Sequence, residues 1–192
     1  MINKNIQKKY KGKYRVSSAR AQWWDYSNSG TYFITICTKN RNLYFGDVIN
    51  DSMQLTILGN IAYQLWEEII YHAKNVKLGE FIVMPNHVHG IVIINDVETG
   101  NNVEPRHAVE PRHALALQHN HKSPEKSRFR NMGKNTISSI IGGYKSAVSR
   151  HAHKSGFDFA WQSGFYDRII RDVTEYIYIS EYIVNNPLNW KL

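Results

Sequence analysis

A single cysteine, Cys37, occurs among the 192 residues, so the chain cannot close an internal disulfide. That absence sets aside the disulfide-stapled secreted domains and suits a reducing cytoplasm. Cys37 stands in an apolar, strand-like stretch and reads as a small core residue rather than a nucleophile. No apolar run approaches the roughly 20 residues of a membrane span, and the N-terminus lacks the apolar segment of a signal peptide, so the expectation is a soluble cytoplasmic protein with no membrane partner. Acidic residues are missing from the first twenty positions, which carry Lys4, Lys8, Lys9, Lys11, Lys13, Arg15 and Arg20.

What is present begins with that charge. The net charge is +8 and the pI is near 9.5. An arm over residues 1–20 with no acid suits a polyanion, of which nucleic acid is the commonest, and it equally suits a solvated tail. The remaining length fits one domain over residues 21–192. Residues 95–134 interrupt it. They are polar, contain Pro105, Pro111 and Pro124, and repeat the hexapeptide VEPRHA in tandem. A structureless connection this long is uncommon inside a domain, so the segment reads as a mobile insertion. Its His107, His113, His119 and His121 resemble a metal-binding tract, but a tolerated duplication explains them with less.

Hydrophobic periodicity supplies the elements. Residues 30–41 (GTYFITICTKNR) alternate as a strand, and residues 57–74 place Ile57, Leu58, Ile61, Leu65, Trp66, Ile69, Ile70 and Ala73 at helical spacing. The runs VKLGEFIVM and HVHGIVII, joined by Pro85-Asn86, predict an antiparallel hairpin. A helix is expected over 136–151, with Gly142-Gly143 permitting a close neighbour, and an extended aromatic stretch over 159–171. A last helix starts at Asp172, with Glu175 in capping-box position, and ends before Pro187. Its expected core stripe is Val173, Tyr176, Ile177, Ile183 and Val184. Strand, helix, hairpin, helix, strand and helix describe an α+β sandwich, a central antiparallel sheet with helices packed on one face.

The second hairpin strand carries two imidazoles. Side chains at i and i+2 of a strand share a face about 7 Å apart, so His87 and His89 project side by side, a chelating geometry. The spacing alone is a weak signal, and His151-Ala152-His153 repeats it at a helix end, where i and i+2 diverge. On the final helix Tyr182 lies one turn from Tyr178 and Asn186. A tyrosine and an amide oxygen beside two histidines suit metal-assisted phosphoryl transfer, with Tyr182 as nucleophile and Asn186 completing the metal shell. On periodicity alone, the better reading is Tyr182 as a packing aromatic and Asn186 as a helix C-cap.

The ordered motifs MPNHVHGIV (84–92), WQSGFYDRIIR (161–171) and YIVNNP (182–187), after the GTYFITI strand, resemble those of the single-tyrosine HUH transposases, in particular the REP-associated tyrosine transposases. The resemblance runs from about residue 20 to the end, excepting the insertion. It implies a ferredoxin-like sandwich whose central strand presents His87 and His89, and a nucleophilic tyrosine at Tyr182. The third ligand falls at Asn186, where mobile-element relatives carry Gln. It also implies Mg²⁺ or Mn²⁺ as cofactor and single-stranded or hairpin DNA as substrate, cleaved and rejoined through a 5′-phosphotyrosine. The protein would act as a monomer or a homodimer. Tyr144 is the rival nucleophile, on an apolar helix stripe and without an amide at i+4. Lys8, Lys9, Lys11, Lys13, Arg15 and Arg20 of the arm, with Trp161, Gln162, Arg168 and Arg171, are the expected DNA contacts. Two other classes stay open: a non-cleaving DNA-binding regulator on the same scaffold, and a metal-dependent hydrolase using the two histidines.

Overall fold

In the computed structural model, residues 29–95 and 136–190 are described. The basic arm with Lys8, Lys9, Lys11, Lys13, Arg15 and Arg20, and the duplicated hexapeptide with its histidines, lie outside the described residues.

Strand β1, Gly30–Cys37, is flanked on one side by β5, His87–Ile94, and on the other by β6, Tyr166–Ile170. Strand β4, Val76–Met84, pairs with the far edge of β5. Every pairing is antiparallel, and the order is β4-β5-β1-β6. Between β1 and β4 run helices α1, Ile57–Glu67, and α2, Ile69–His72; between β5 and β6 runs α3, Ile137–Lys154; and α4, Val173–Val184, follows β6. The core strands and crossover helices therefore follow the β-α-β-β-α-β sequence of the ferredoxin-like sandwich, as expected. The turn at Pro85-Asn86 sets Met84 opposite His87, which fixes the hairpin register.

The two sheet faces are covered separately. Tyr32, Ile34, Ile36, Val88 and Val92 form one core with Leu58, Ala62 and Trp66 of α1 and Ile137, Ile141 and Val148 of α3. Ile91 and Ile170, with Phe33 and Ile93, form a second core with Ile179 and Ile183 of α4. Helices thus lie on both faces rather than one, because β1 and β5 are apolar at both odd and even positions. Gly90 permits a close approach of α1 to the sheet: a Cβ there would come within 2.3 Å of the Trp66 ring, so only glycine leaves room for that indole.

Several local expectations need correction. The helix expected over 57–74 is interrupted at Glu68, and Ile57 and Ile70 are exposed. The first strand stops at Cys37; Thr38 makes an isolated bridge to Trp161, and Lys39–Arg41 turn as a 3-10 helix. Of the aromatic stretch, Tyr166–Ile170 forms a continuous strand. Ile179 takes the place expected for Ile177 and Val184 in the α4 stripe; those two are exposed because the helix is rotated toward residues 176, 179, 183 and 186. The Gly142-Gly143 pair has open space around it, so no close neighbour explains it. A second hairpin, β2, Gly46–Ile49, and β3, Ser52–Leu55, was not expected. Its turn places Asn50 and Asp51 at φ 50° and 58°, the left-handed pair that a two-residue hairpin requires. The helix starts follow their caps: Thr56, Thr136 and Asp172 accept from Gly59, Ser139 and Glu175 amides.

Candidate active site

His87 and His89 open strand β5 on the face that α4 covers. Alternation gives them the same direction, and their ring centroids are 4.4 Å apart. Both are buried. The neighbouring strand organises each ring. Thr35 of β1, directly opposite His89, brings Oγ1 within 2.9 Å of its Nδ1. Asn86, the turn residue, holds its Oδ1 2.8 Å from His87 Nδ1, while its Nδ2 donates to the Arg41 carbonyl at 3.3 Å. With the Asn86 amide so oriented, His87 donates from Nδ1, and Nε2 is the nitrogen turned toward the rest of the site.

Helix α4 delivers the phenol. Its buried stripe docks on Ile91 and Phe33, which leaves Tyr182 at the side of the helix, 43% exposed, with its hydroxyl 3.5 Å from His89 Nε2. The Phe33 ring stacks on His89 at 5.2 Å and meets Tyr182 edge-on at 6.1 Å, so one aromatic side chain positions both. Asn186, one turn beyond Tyr182, is buried, and its side chain hydrogen-bonds His87. Trp190 closes the far side with its ring 5.9 Å from that of His87. The structure therefore brings together all four residues expected at the centre: Tyr182, His87, His89 and Asn186.

Electrostatics fixes what the imidazoles can do. Burial, then the Arg41 charge, lowers the His87 pKa from 6.5 to about 4, against a weaker opposing effect of the Asn186 bond. Burial, then His87 itself, lowers that of His89 to about 3. Rings this hard to protonate are poor proton acceptors and good neutral ligands. Among the described residues no group of three or more His, Cys, Asp or Glu side chains is gathered to hold an ion. The donors at this point are two imidazoles, the Asn186 amide and the Tyr182 phenol, a set that fits a divalent ion with positions left for oxygen ligands from outside the protein.

The other expected residues are dispersed. Tyr144, the rival nucleophile, is buried with its hydroxyl donating to the Ala62 carbonyl at 3.0 Å, and burial pushes its phenol well above its ordinary range. Trp161 packs against Phe45, Phe159 and Tyr144, and its indole N–H donates to the Lys145 carbonyl at 3.1 Å, so little of that ring is offered to a base. Gln162, by contrast, is exposed at the histidine end of the sheet, its backbone donating at 2.9 Å to the carbonyl of Cys37, which pairs with His87. Arg168, opposite Phe33, pairs with Glu175 at 2.5 Å. Arg171 follows Ile170, which pairs with Thr31 at the other end of the sheet. That end is roughly 20 Å from His87 at the rise of a strand. His151 and His153 of the second imidazole pair are exposed at the end of α3, the latter bonded to the Phe159 carbonyl. Sequence reading missed Asn86, Thr35, Phe33 and Arg41, because cross-strand register and turn side-chain direction leave no periodic signal.

No protein-family model matches the chain. A Haemophilus influenzae protein, described as uncharacterized, is 38% identical over 175 residues, covering 91% of this chain and 89% of its own length. The structure of a REP-associated tyrosine transposase bound to a REP hairpin superposes with a TM-score of 0.53 at 17% identity, over 88% of this chain and 74% of the other. At that identity the likeness establishes a common fold. No helix among the described residues is long and apolar enough to cross a membrane.

Proposed function

We propose that this chain, which belongs to one family with the Haemophilus influenzae protein, is a transposase-like enzyme that cleaves and rejoins single-stranded DNA through Tyr182. The observation that carries the reading is the meeting of a half-exposed tyrosine hydroxyl with a buried, neutral histidine pair, 3.5 Å apart at the nearest atoms, across elements 93 residues apart in sequence. A packing tyrosine has no need of such company.

In this reading the Tyr182 oxygen attacks a phosphodiester phosphorus. One O–P bond forms, the bond to the 3′ oxygen breaks, and a 5′-phosphotyrosine results. The phenolic proton leaves to water at the exposed edge of the ring, and the departing 3′ oxygen takes a proton from water. The number of phosphodiester bonds is unchanged, so attack by a second 3′-hydroxyl reverses the step and joins strands without ATP. His87 and His89 present Nε2 atoms, and Asn186 an amide oxygen, as the groups that would hold a divalent ion. Such an ion supplies Lewis-acid stabilisation of the phosphate charge. Two imidazoles suit Mn²⁺ better than Mg²⁺, which favours all-oxygen shells. Phe33 and Asn86 hold the rings in place, and the packing of α4 sets the distance to the nucleophile.

The structure of the REP-associated transposase, solved with a DNA hairpin, suggests the test substrate. A 3′-labelled hairpin with single-stranded flanks is incubated with the protein and Mn²⁺. A covalent protein–DNA adduct that disappears in Tyr182→Phe is the expected result. Cleavage that persists in Tyr182→Phe without an adduct would place the chemistry with a metal-activated water, and retention without cleavage would leave a binding module.

A further inference from the structure

Resting on that reading, we propose that Arg41 is a substrate contact of this site, its guanidinium donating to a non-bridging oxygen of the DNA phosphodiester beside Tyr182.

Three observations converge on it. The first is location. The Arg41 carbonyl accepts from Asn86 Nδ2, and the same Asn86 side chain bonds His87, so the Arg41 backbone is two hydrogen bonds from the imidazole pair. The second is backbone geometry. Asn40 and Arg41 are consecutive at φ 55° and 58°, left-handed conformations that Asn tolerates and Arg does not favour. A residue kept there against its preference is over-determined by its surroundings, here the Asn86 tie and the Thr38 carbonyl that accepts from the Arg41 amide at 3.2 Å. The third is what the side chain lacks. Arg41 is exposed, and no carboxylate among the described residues pairs with it, whereas Arg168 is taken by Glu175. An exposed, unneutralised cation whose backbone is tied to the turn that holds His87 is arranged for an anion. In a DNA-processing site that anion is the phosphate, held by paired N–H donors.

The test separates binding from chemistry. Affinity of the full chain for a single-stranded hairpin oligonucleotide is measured across a salt series with EDTA present, for wild type, Arg41→Gly and Arg41→Lys. Loss of one phosphate contact lowers the log–log salt slope by about 0.7 on single-stranded DNA, and Arg41→Gly is expected to show that drop with about tenfold weaker binding at low salt. Glycine suits the left-handed backbone, so the thermal midpoint should hold or rise. Arg41→Lys restores the slope. An unchanged slope and affinity in Arg41→Gly overturns the proposal, and so does a fall in thermal midpoint that accounts for the loss, since Arg41 would then be structural. Absence of a covalent adduct from wild type counts against strand transfer alone, because the EDTA measurement still decides Arg41.

Discussion

Lowering the pH from about 7.5 to about 4.5 should cost this protein several kcal/mol through two side chains. In the unfolded chain both histidines titrate near 6.5, whereas in the fold burial holds His87 near 4 and His89 near 3. The folded pKa values lie below the unfolded ones, so stability is complete above 6.5 and drains away as pH falls toward the folded values. At pH 4.5 the unfolded state gains about 2.7 kcal/mol from protonating each ring, while folded His87 regains only about 0.2 and His89 almost nothing. The loss is therefore about 2.5 kcal/mol per histidine and about 5 for the pair, a large share of the 5–15 kcal/mol typical of a domain. Both residues are only 6% exposed, so solvent screening does not erase the effect. The assay is urea unfolding at the two pH values with EDTA present, for wild type, His87→Gln and His89→Gln. Each variant should flatten the pH dependence by about 2.5 kcal/mol, whatever its stability at neutral pH. Parallel losses in all three proteins would refute the argument that burial, rather than solvent exposure, sets these pKa values.

Two further substitutions separate structure from chemistry. Tyr144→Phe removes a buried hydroxyl that donates to the Ala62 carbonyl. It should lower stability by about 1 kcal/mol in denaturant titration while leaving the Tyr182-dependent adduct intact; loss of adduct in a folded Tyr144→Phe protein would transfer the nucleophile's role. Gly90→Ala sets a methyl against the Trp66 ring and should cost about 1–3 kcal/mol by overpacking, seen as a lower urea midpoint; an unchanged midpoint would mean the indole moves aside freely.

The parts of this fold that periodicity reaches were legible. Long apolar alternation located β1, β4 and β5; helical spacing located α1 and α3; and Asp172 with Glu175 located the start of α4 to the residue. The β2–β3 hairpin escaped because its alternation is shallow: the buried or half-buried positions are Gly46, Val48, Met53 and Leu55, and the other positions face water. Its turn signal, Asn50-Asp51, lacks the glycine that usually marks such a loop. The break at Glu68 escaped because Trp66 and Ile69 continue the apolar phase across it. The α4 stripe was misphased because the helix is apolar on several sides, and β-branched residues at 177 and 184 are as hydrophobic as the buried ones.

The site divides along the same physical line. His87 and His89 were legible because two residues apart on a strand already means one face, and Asn186 because four residues from Tyr182 on a helix already means one neighbour. Their convergence was not, since it depends on α4 crossing the face of β4 and β5 opposite the one that α1 and α3 cover, a choice made by Phe33, Ile91, Ile179 and Ile183 rather than by any residue of the site. The supporting shell was least legible. Thr35 reads as a strand former, Asn86 as a turn former and Arg41 as the tail of a strand until the register sets Thr35 opposite His89 and the turn folds Asn86 between Arg41 and His87. Each bears on the histidines through a bond or a charge across strands and turns, and such interactions depend on where the chain returns, not on local spacing. It follows that neutral substitutions at these three positions should change the site more than their residue types imply, with Asn86→Ala freeing the His87 ring to adopt either tautomer, a change that ¹⁵N chemical shifts of the imidazole report directly. A single Nδ1-protonated signal from His87 in the Asn86→Ala protein would show that the turn amide is not what orients the ring.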